Sequence, residues 1–482
     1  MRPISGSWAG LKVRRLREMA LVWLAIGLLG PAPSSAEPQA ASTQGSRPRV
    51  VVMTDIGNEP DDSESFVRFL LYSNEFDTEA LIATTSTWQR TRVQPELLRE
   101  RIDGYGKVLA NLRHHAEGYP DPASLLAAVR SGSALYGMQG VGQGMDSEAS
   151  RRIIEIVDKP DPRPVHVAIW SGAHDLAQAL WTVRATRSPK EAKAFVAKLR
   201  VYSISDQDDA GPWARQNFPD LIWIASVHGW GQYAMAAWTG ISGDLFSKDK
   251  WPGSELVTNE WLDRNIRRGA LGALYPPHQY IMEGDTPSFL GLIRNGLNDP
   301  EHPEFGGWGG RYLPAYEGAG HYADAPDKVE NPAGRTWTSS QATIFRWREA
   351  FQNDFAARIG WTLTADPRQA NHNPQLVLNG VPGDAAVKIA AKSGAEIALF
   401  AYGSLDPDGD RLTYRWWQYA EATSPPSRQP AALKIEGADS PQAHVVVPAV
   451  SAPATYHVIL EVTDSGAPAL TSYRRALIAV TP

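Results

Sequence analysis

Residues 50–71 read VVVMTDIGNEPDDSESFVRFLL, an apolar run, a turn dense in carboxylates, and an apolar-periodic segment that predicts a helix. Asp55 stands where the strand gives out, and Asp61 and Asp62 follow Pro60 at the helix start. Acids in a first turn are stabilised by the helix dipole, and Ser63 and Glu64 extend the same pattern. Capping accounts for Asp61 or Asp62, but not for Asp55 at the end of a buried strand. Like charges this close repel unless a cation intervenes. With no Cys in the chain and His sparse around the loop, oxygen ligands to Ca2+ or Mg2+ are expected rather than zinc.

The same strand, polar loop and helix pattern recurs along the chain. Residues 78–84 lead into Thr85-Ser86-Thr87-Trp88-Gln89 and a helix over 95–112. Residues 165–170 lead into Ser171-Gly172-Ala173-His174-Asp175 and a helix over 176–183. Residues 199–204 lead into Ser205-Asp206-Gln207-Asp208-Asp209, and residues 221–227 into His228-Gly229-Trp230-Gly231. Such alternation predicts an α/β fold with a mostly parallel sheet and right-handed crossovers. Ligands bind outside the carboxyl ends of such strands, so Asp55, Trp88, Gln89, His174, Asp175, Asp206 and His228 are expected to share one crevice.

Further on, Glu283-Gly284-Asp285-Thr286-Pro287 opens a helix near 289–293, where Asp285 fits a cap position. The Gly- and aromatic-rich loop 305–312 lacks Lys-Ser/Thr and follows no clear strand, so it is not a phosphate-cradling loop. It reads either as a rim facing a sugar, with Trp308 in contact, or as plain loop packing. A helix over 343–357 closes the first domain, taken as 49–365.

Short alternating strands fill 375–482 and predict an all-β, immunoglobulin-like sandwich. Its Asp406-Pro407-Asp408-Gly409-Asp410 is no EF-hand, because the twelfth position from Asp406 is Trp417. A Gly-containing turn or a calcium site at the domain edge both suit it.

Length and composition agree with two globular domains: 482 residues, 43% hydrophobic, 21% charged, 41 Gly and 36 Pro. Residues 1–36 have a basic start around Arg14, Arg15 and Arg17, an apolar stretch from Met19 to Leu29, and small residues at Ser34-Ser35-Ala36. They predict a signal peptide for the general secretory route, with 37–48 as linker and a periplasmic or secreted protein. No later stretch reaches the roughly 18 apolar residues of a membrane span. Five basic residues and one acidic residue leave with 1–36, taking the formal charge from −6 to −10 and arguing against nucleic-acid binding.

On TDIGNEPDD, the chain resembles the nucleoside hydrolases, calcium-dependent enzymes that cut N-glycosidic bonds, although its turn is two residues longer. Over nearly all of the expected mature chain it is similar to an exported cellulose-binding family with a nucleoside-hydrolase-like domain and an immunoglobulin-like domain. SDQDDAGPWARQNFPD (205–220), EGDTPSFL (283–290), GGWGGRY (306–312) and SLDPDGDRLTYRWWQY (404–419) carry that likeness.

The resemblance implies Asp55 as calcium ligand and catalytic base, Asp62 and Asp285 as ligands, and the Trp170 carbonyl as a further ligand. It also implies Asp61 beside the sugar hydroxyls or the water, and Asn217 as a sugar ligand. Two departures bear on the substrate. Gly284 stands where a His helps the base leave, His278 six residues upstream reads as a structural His before a substitute, and Arg215 stands where the family has Glu.

Two functions follow as expectations. The first is a hydrolase of an N- or O-glycosyl bond, acting on a saccharide or nucleoside-like molecule. The second is a non-catalytic protein that binds cellulose or another polysaccharide and keeps the ion site for structure.

Overall fold

Strand β1 (Arg49–Thr54) is buried along its whole length and lies third from one edge of an eight-stranded sheet. Its neighbours in chain order are β2 (Asp77–Ala83), β3 (Val129–Ser131), β4 (Val165–Ile169), β5 (Leu199–Ser205), β6 (Ile222–Ser226), β7 (Tyr312–Pro314) and β8 (His321–Asp324). They lie in the order β3-β2-β1-β4-β5-β6-β8-β7, parallel throughout except for β7 against β8. The computed structural model describes residues 47–227, 230–242, 251–331, 333–425 and 431–482. The expected signal peptide, residues 37–46 of the linker, His228 and the Trp230 side chain lie outside the described residues.

Alternation along β1 explains why its run of valines is uninterrupted. Val50 and Val52 enter one apolar cluster with Phe66, Val67 and Leu70 of helix α1 (Asp61–Leu71). Val51 and Met53 enter the other, with Ile153, Leu176, Leu180 and Trp223. A strand covered on both faces has no polar side to show.

The expected helix over 95–112 is two helices, Pro95–Gly106 and Leu109–His115. Gly104 and Gly106 weaken its centre, and Gly104 lies where Leu274 packs too closely for a side chain. The expected helix over 343–357 likewise divides into Ala342–Phe345 and Arg348–Trp361. Strands β3, β7 and β8 had no clear sequence signal, being only three or four residues long.

Beyond residue 386 the chain forms two facing sheets. Strands 387–392, 471–481, 454–463 and 413–418 make one, and 396–400, 442–446 and 434–436 make the other. Leu399, Trp416, Val445, Val458 and Ile478 pack between them. This part is welded to the α/β part. Tyr419, Ile459 and Tyr473 join the large apolar cluster. Arg475, which is buried, donates to the carbonyls of Leu297 and Gly306, both at 2.9 Å. Tyr473 N–H donates to the Asn295 carbonyl at 3.0 Å, and its own carbonyl leaves no room for a side chain at Gly296, where φ is +83°.

Candidate metal centre

Asp61, Asp62 and Asp285 each bring a carboxylate oxygen into a group whose members lie within 4.8 Å of one another. Two chain segments more than two hundred residues apart supply them. The first two sit in the opening turn of α1, where the Thr54 hydroxyl at the end of β1 donates to Asp62 Oδ1. That hydroxyl also accepts from Ile56 N–H at 3.0 Å, fixing the start of the turn. Gly57 has φ +101°, and a Cβ there would run into the Gln94 side chain, so the turn requires glycine. Asp285 stands ahead of the short helix Pro287–Leu290.

Asp55 lies beside this trio, close enough to act electrostatically on all three of its members. The Ser86 hydroxyl donates to its Oδ2, and Gln89 Nε2 donates to its backbone carbonyl at 2.9 Å. The tight group thus holds Asp61 where the resemblance implied Asp55.

Burial pushes the Asp55 carboxyl up to about 7 against the opposing hydrogen bond from Ser86. Asp61 rises to about 8 through burial and the charges of Glu59 and Asp55. Asp62 and Asp285 are held well above the usual carboxylate range by burial and by their acidic neighbours. Glu59, one of the two extra residues in the turn, faces the same group and is itself raised by burial.

Oδ2 of Asp285 is buried and has no hydrogen-bond partner. A buried, unpartnered carboxylate oxygen among other carboxylates is costly without a positive charge. The donor set is all oxygen, so it fits a hard divalent cation, Ca2+ or Mg2+.

The other expected site residues divide. Trp88 is 44% exposed on the loop that carries Ser86, and its N–H donates to the Ser86 hydroxyl at 3.0 Å. Gln89 is buried and braces the Asp55 loop, its Oε1 accepting from Arg92 and Gln94. The Trp170 carbonyl accepts from Gln207 Nε2 at 2.6 Å, so a hydrogen bond already engages the oxygen expected to face an ion.

Three expectations need correction. His174 is fully buried in a polar network with Thr84, Asp175, Asp208 and the Ser133 carbonyl, so it does not line the crevice. Asn217 ends the helix Ala210–Asn217 at the far end from the crevice, accepting from Arg184 at 2.6 Å and donating to the Trp213 carbonyl. Trp308 is 1% exposed, edge-on to Phe351 and Tyr473, and therefore core rather than rim. The Asp406 loop, for which a turn and an ion site were both open, forms an Asx-type turn: Asp406 Oδ1 accepts from the N–H groups of Asp408 and Asp410, while Asp408 pairs with His372 and Asp410 with Ser465.

Gly284 has a packing reason of its own. A Cβ there would sit 3.1 Å from Asp61 Oδ2 and 3.2 Å from the Trp238 ring, so a side chain at 284 would press on both by a few tenths of an ångström.

Sequence reasoning missed the layer below. Glu64, which extends the acidic first turn, is buried and accepts from Glu283 N–H at 2.9 Å. Arg68, one turn on, pairs with the fully buried Glu283 at 2.6 Å. A Glu and an Arg four apart, flanked by Phe66, Val67 and Phe69, were the available signal that both face inward.

A family model described as cellulose-binding Sde182, nucleoside hydrolase-like domain, matches residues 49–312. A second, described as cellulose-binding protein Sde0182, C-terminal domain, matches residues 396–480. A solved nucleoside hydrolase-related hypothetical protein from Saccharophagus degradans, associated with carbohydrate metabolism, is similar at 36% identity. The match covers 90% of this chain and 100% of that one, with TM-score 0.77. The type III effector XopQ complexed with adenosine diphosphate ribose is 11% identical over 67% of this chain and 94% of its own. Its TM-score of 0.32 is too low to bear on the site. No curated protein matches the chain.

Proposed function

Because the chain belongs to the cellulose-binding Sde182 family with its nucleoside hydrolase-like domain, we propose that it is an exported, calcium-dependent hydrolase of a glycosyl bond. Cellulose lies outside cells, which supports the exported placement. The observation that carries the reading is the Asp61, Asp62 and Asp285 group with its unpartnered Asp285 oxygen.

Asp61, Asp62 and Asp285 would hold the ion, with Asp55 alongside. A bound divalent cation supplies positive charge to sugar hydroxyls and makes water more acidic. Asp55, oriented by Ser86 and Gln89, accepts the proton of the water that attacks the anomeric carbon. Glu59 faces the same space and offers a hydrogen-bond acceptor to a sugar hydroxyl. Trp88 gives an exposed face on which a sugar ring can lie.

Release of nucleobase, nitrophenol or sugar is measured from nucleosides, aryl glycosides and cello-oligosaccharides, with calcium and with chelator. Turnover is expected only with calcium, and Asp55→Ala should abolish it. Absence of calcium-dependent release from every class would refute the hydrolase reading.

Gly284 favours a second reading, a polysaccharide-binding protein whose ion site is structural. Glycine offers no side-chain acid at that position, and the tight packing around it disfavours one. Binding of cellulose by Asp55→Ala at wild-type strength, with no turnover by wild type, would select it.

A further inference from the structure

Glu283 is a non-glycine residue with φ +52°, two positions ahead of Asp285. Left-handed backbone at such a residue persists only where its surroundings impose it. Here every polar atom that could impose it is in place. Arg68 Nε lies 2.6 Å from Glu283 Oε2, and Arg68 Nη2 donates to Oε1 at 3.1 Å. The Tyr275 hydroxyl donates to Oε1 at 2.8 Å and the Thr286 hydroxyl to Oε2 at 2.9 Å. The Glu283 N–H donates to Glu64 Oε2, which ties this loop to the helix that bears Asp61 and Asp62. Arg68 is itself fixed: it donates to the Phe351 carbonyl at 3.2 Å and lies 4.0 Å from the centre of the Phe355 ring.

We propose that Glu283 is a positioning residue for the cation: clamped by Arg68, Tyr275 and Thr286, it holds the turn that sets Asp285 against Asp61 and Asp62. The consequence rests on the cation site proposed above. The trio spans two distant segments, and the Glu64–Glu283 hydrogen bond joins those segments directly. A network of this kind around a ligand set tunes affinity by roughly 10- to 100-fold. Glu283 would thus control how tightly the ion is held without touching it.

The test measures calcium affinity by isothermal titration calorimetry on the full chain, beside the melting temperature in chelator. Glu283→Gln keeps the shape but loses the ion pair with Arg68. It is expected to bind calcium roughly 10- to 100-fold more weakly while still melting cooperatively. Tyr275→Phe removes one donor and, expected to fold in any case, should weaken binding by a smaller factor. Unchanged calcium affinity in both variants overturns the proposal, whatever happens to their melting temperatures. If Glu283→Gln fails to fold, Tyr275→Phe alone decides. If wild type binds no calcium, the cation site itself falls, a result distinct from equal affinities in wild type and variant.

Discussion

Chelator and calcium should move the melting temperature in opposite directions, and Asp285→Asn should uncouple the two. Without a cation the fold holds Asp55, Asp61, Asp62 and Asp285 with carboxyls raised above the usual range. Groups raised in the folded state contribute stability that is fully present below their unfolded value, and it is lost as pH rises through the folded value. The window runs from 3.8 up through about 7 for Asp55 and about 8 for Asp61. For Asp55, 4% exposed, the loss is on the order of 4 kcal/mol. At ~2.1 cal/mol/K per residue, a chain of this size changes by ~0.9 kcal/mol per degree, so the loss is about 4 °C. Calcium at about 100 times its Kd returns ~2.7 kcal/mol, or about 3 °C.

Scanning calorimetry in chelator should therefore show the melting temperature falling by at least about 4 °C as pH rises from about 5 to about 8.5, with calcium returning about 3 °C at the upper end. Asp285→Asn removes one of the opposed charges. In chelator at high pH it should melt no lower than wild type, while its response to calcium drops below about 1 °C. A wild-type melting temperature that neither falls with pH in chelator nor rises with about 5 mM calcium would refute the reasoning.

Two further outcomes separate core from crevice. Trp308→Ala should cost roughly 3–5 kcal/mol in urea denaturation, as a buried ring does, whereas Trp88→Ala should leave stability within about 0.5 kcal/mol and weaken saccharide binding. For His174, burial works against the charged form, but Asp175, Asp208 and the Ser133 carbonyl outweigh it and hold the imidazole at about 9. This stabilisation is fully present below 6.5 and lost as pH rises through about 9. With calcium saturating, wild type should therefore lose about 3 kcal/mol more than His174→Gln over that range in denaturant titrations; equal losses would contradict it.

Much of the fold was legible because period and burial coincide. Val50–Met53 is apolar at every position, which only a strand covered on both faces tolerates, and the structure has it between two clusters. The strand, loop and helix alternation implied a parallel sheet, and that sheet puts the turn after β1 at the carboxyl end of its strands. The divided helices and the short strands β7 and β8 escaped notice, since a few residues carry too little pattern to separate strand from loop.

Site residues were legible where chemistry alone decides. Asp61 and Asp62 open a helix after a buried strand, so the crowding of like charges there is legible before the fold is known. Other side chains depended on what the remote chain brings to them. Trp308 in a glycine-rich loop suits a rim or a core equally, until Phe351 and Tyr473 close around it. His174 and Asn217 sit after strands that do reach the crevice, but helix direction carries Asn217 away, and packing beneath the loop buries His174.

By itself the sequence determined the layered architecture and the carboxylate turn, because apolar period and the clustering of like charges are properties of the chain. Tertiary structure alone decided that Asp285 meets Asp61 and Asp62, that Glu283 and Arg68 brace that meeting, and that the sandwich shares the α/β core. Those are contacts between residues hundreds of positions apart, and no local pattern encodes which distant surface will arrive.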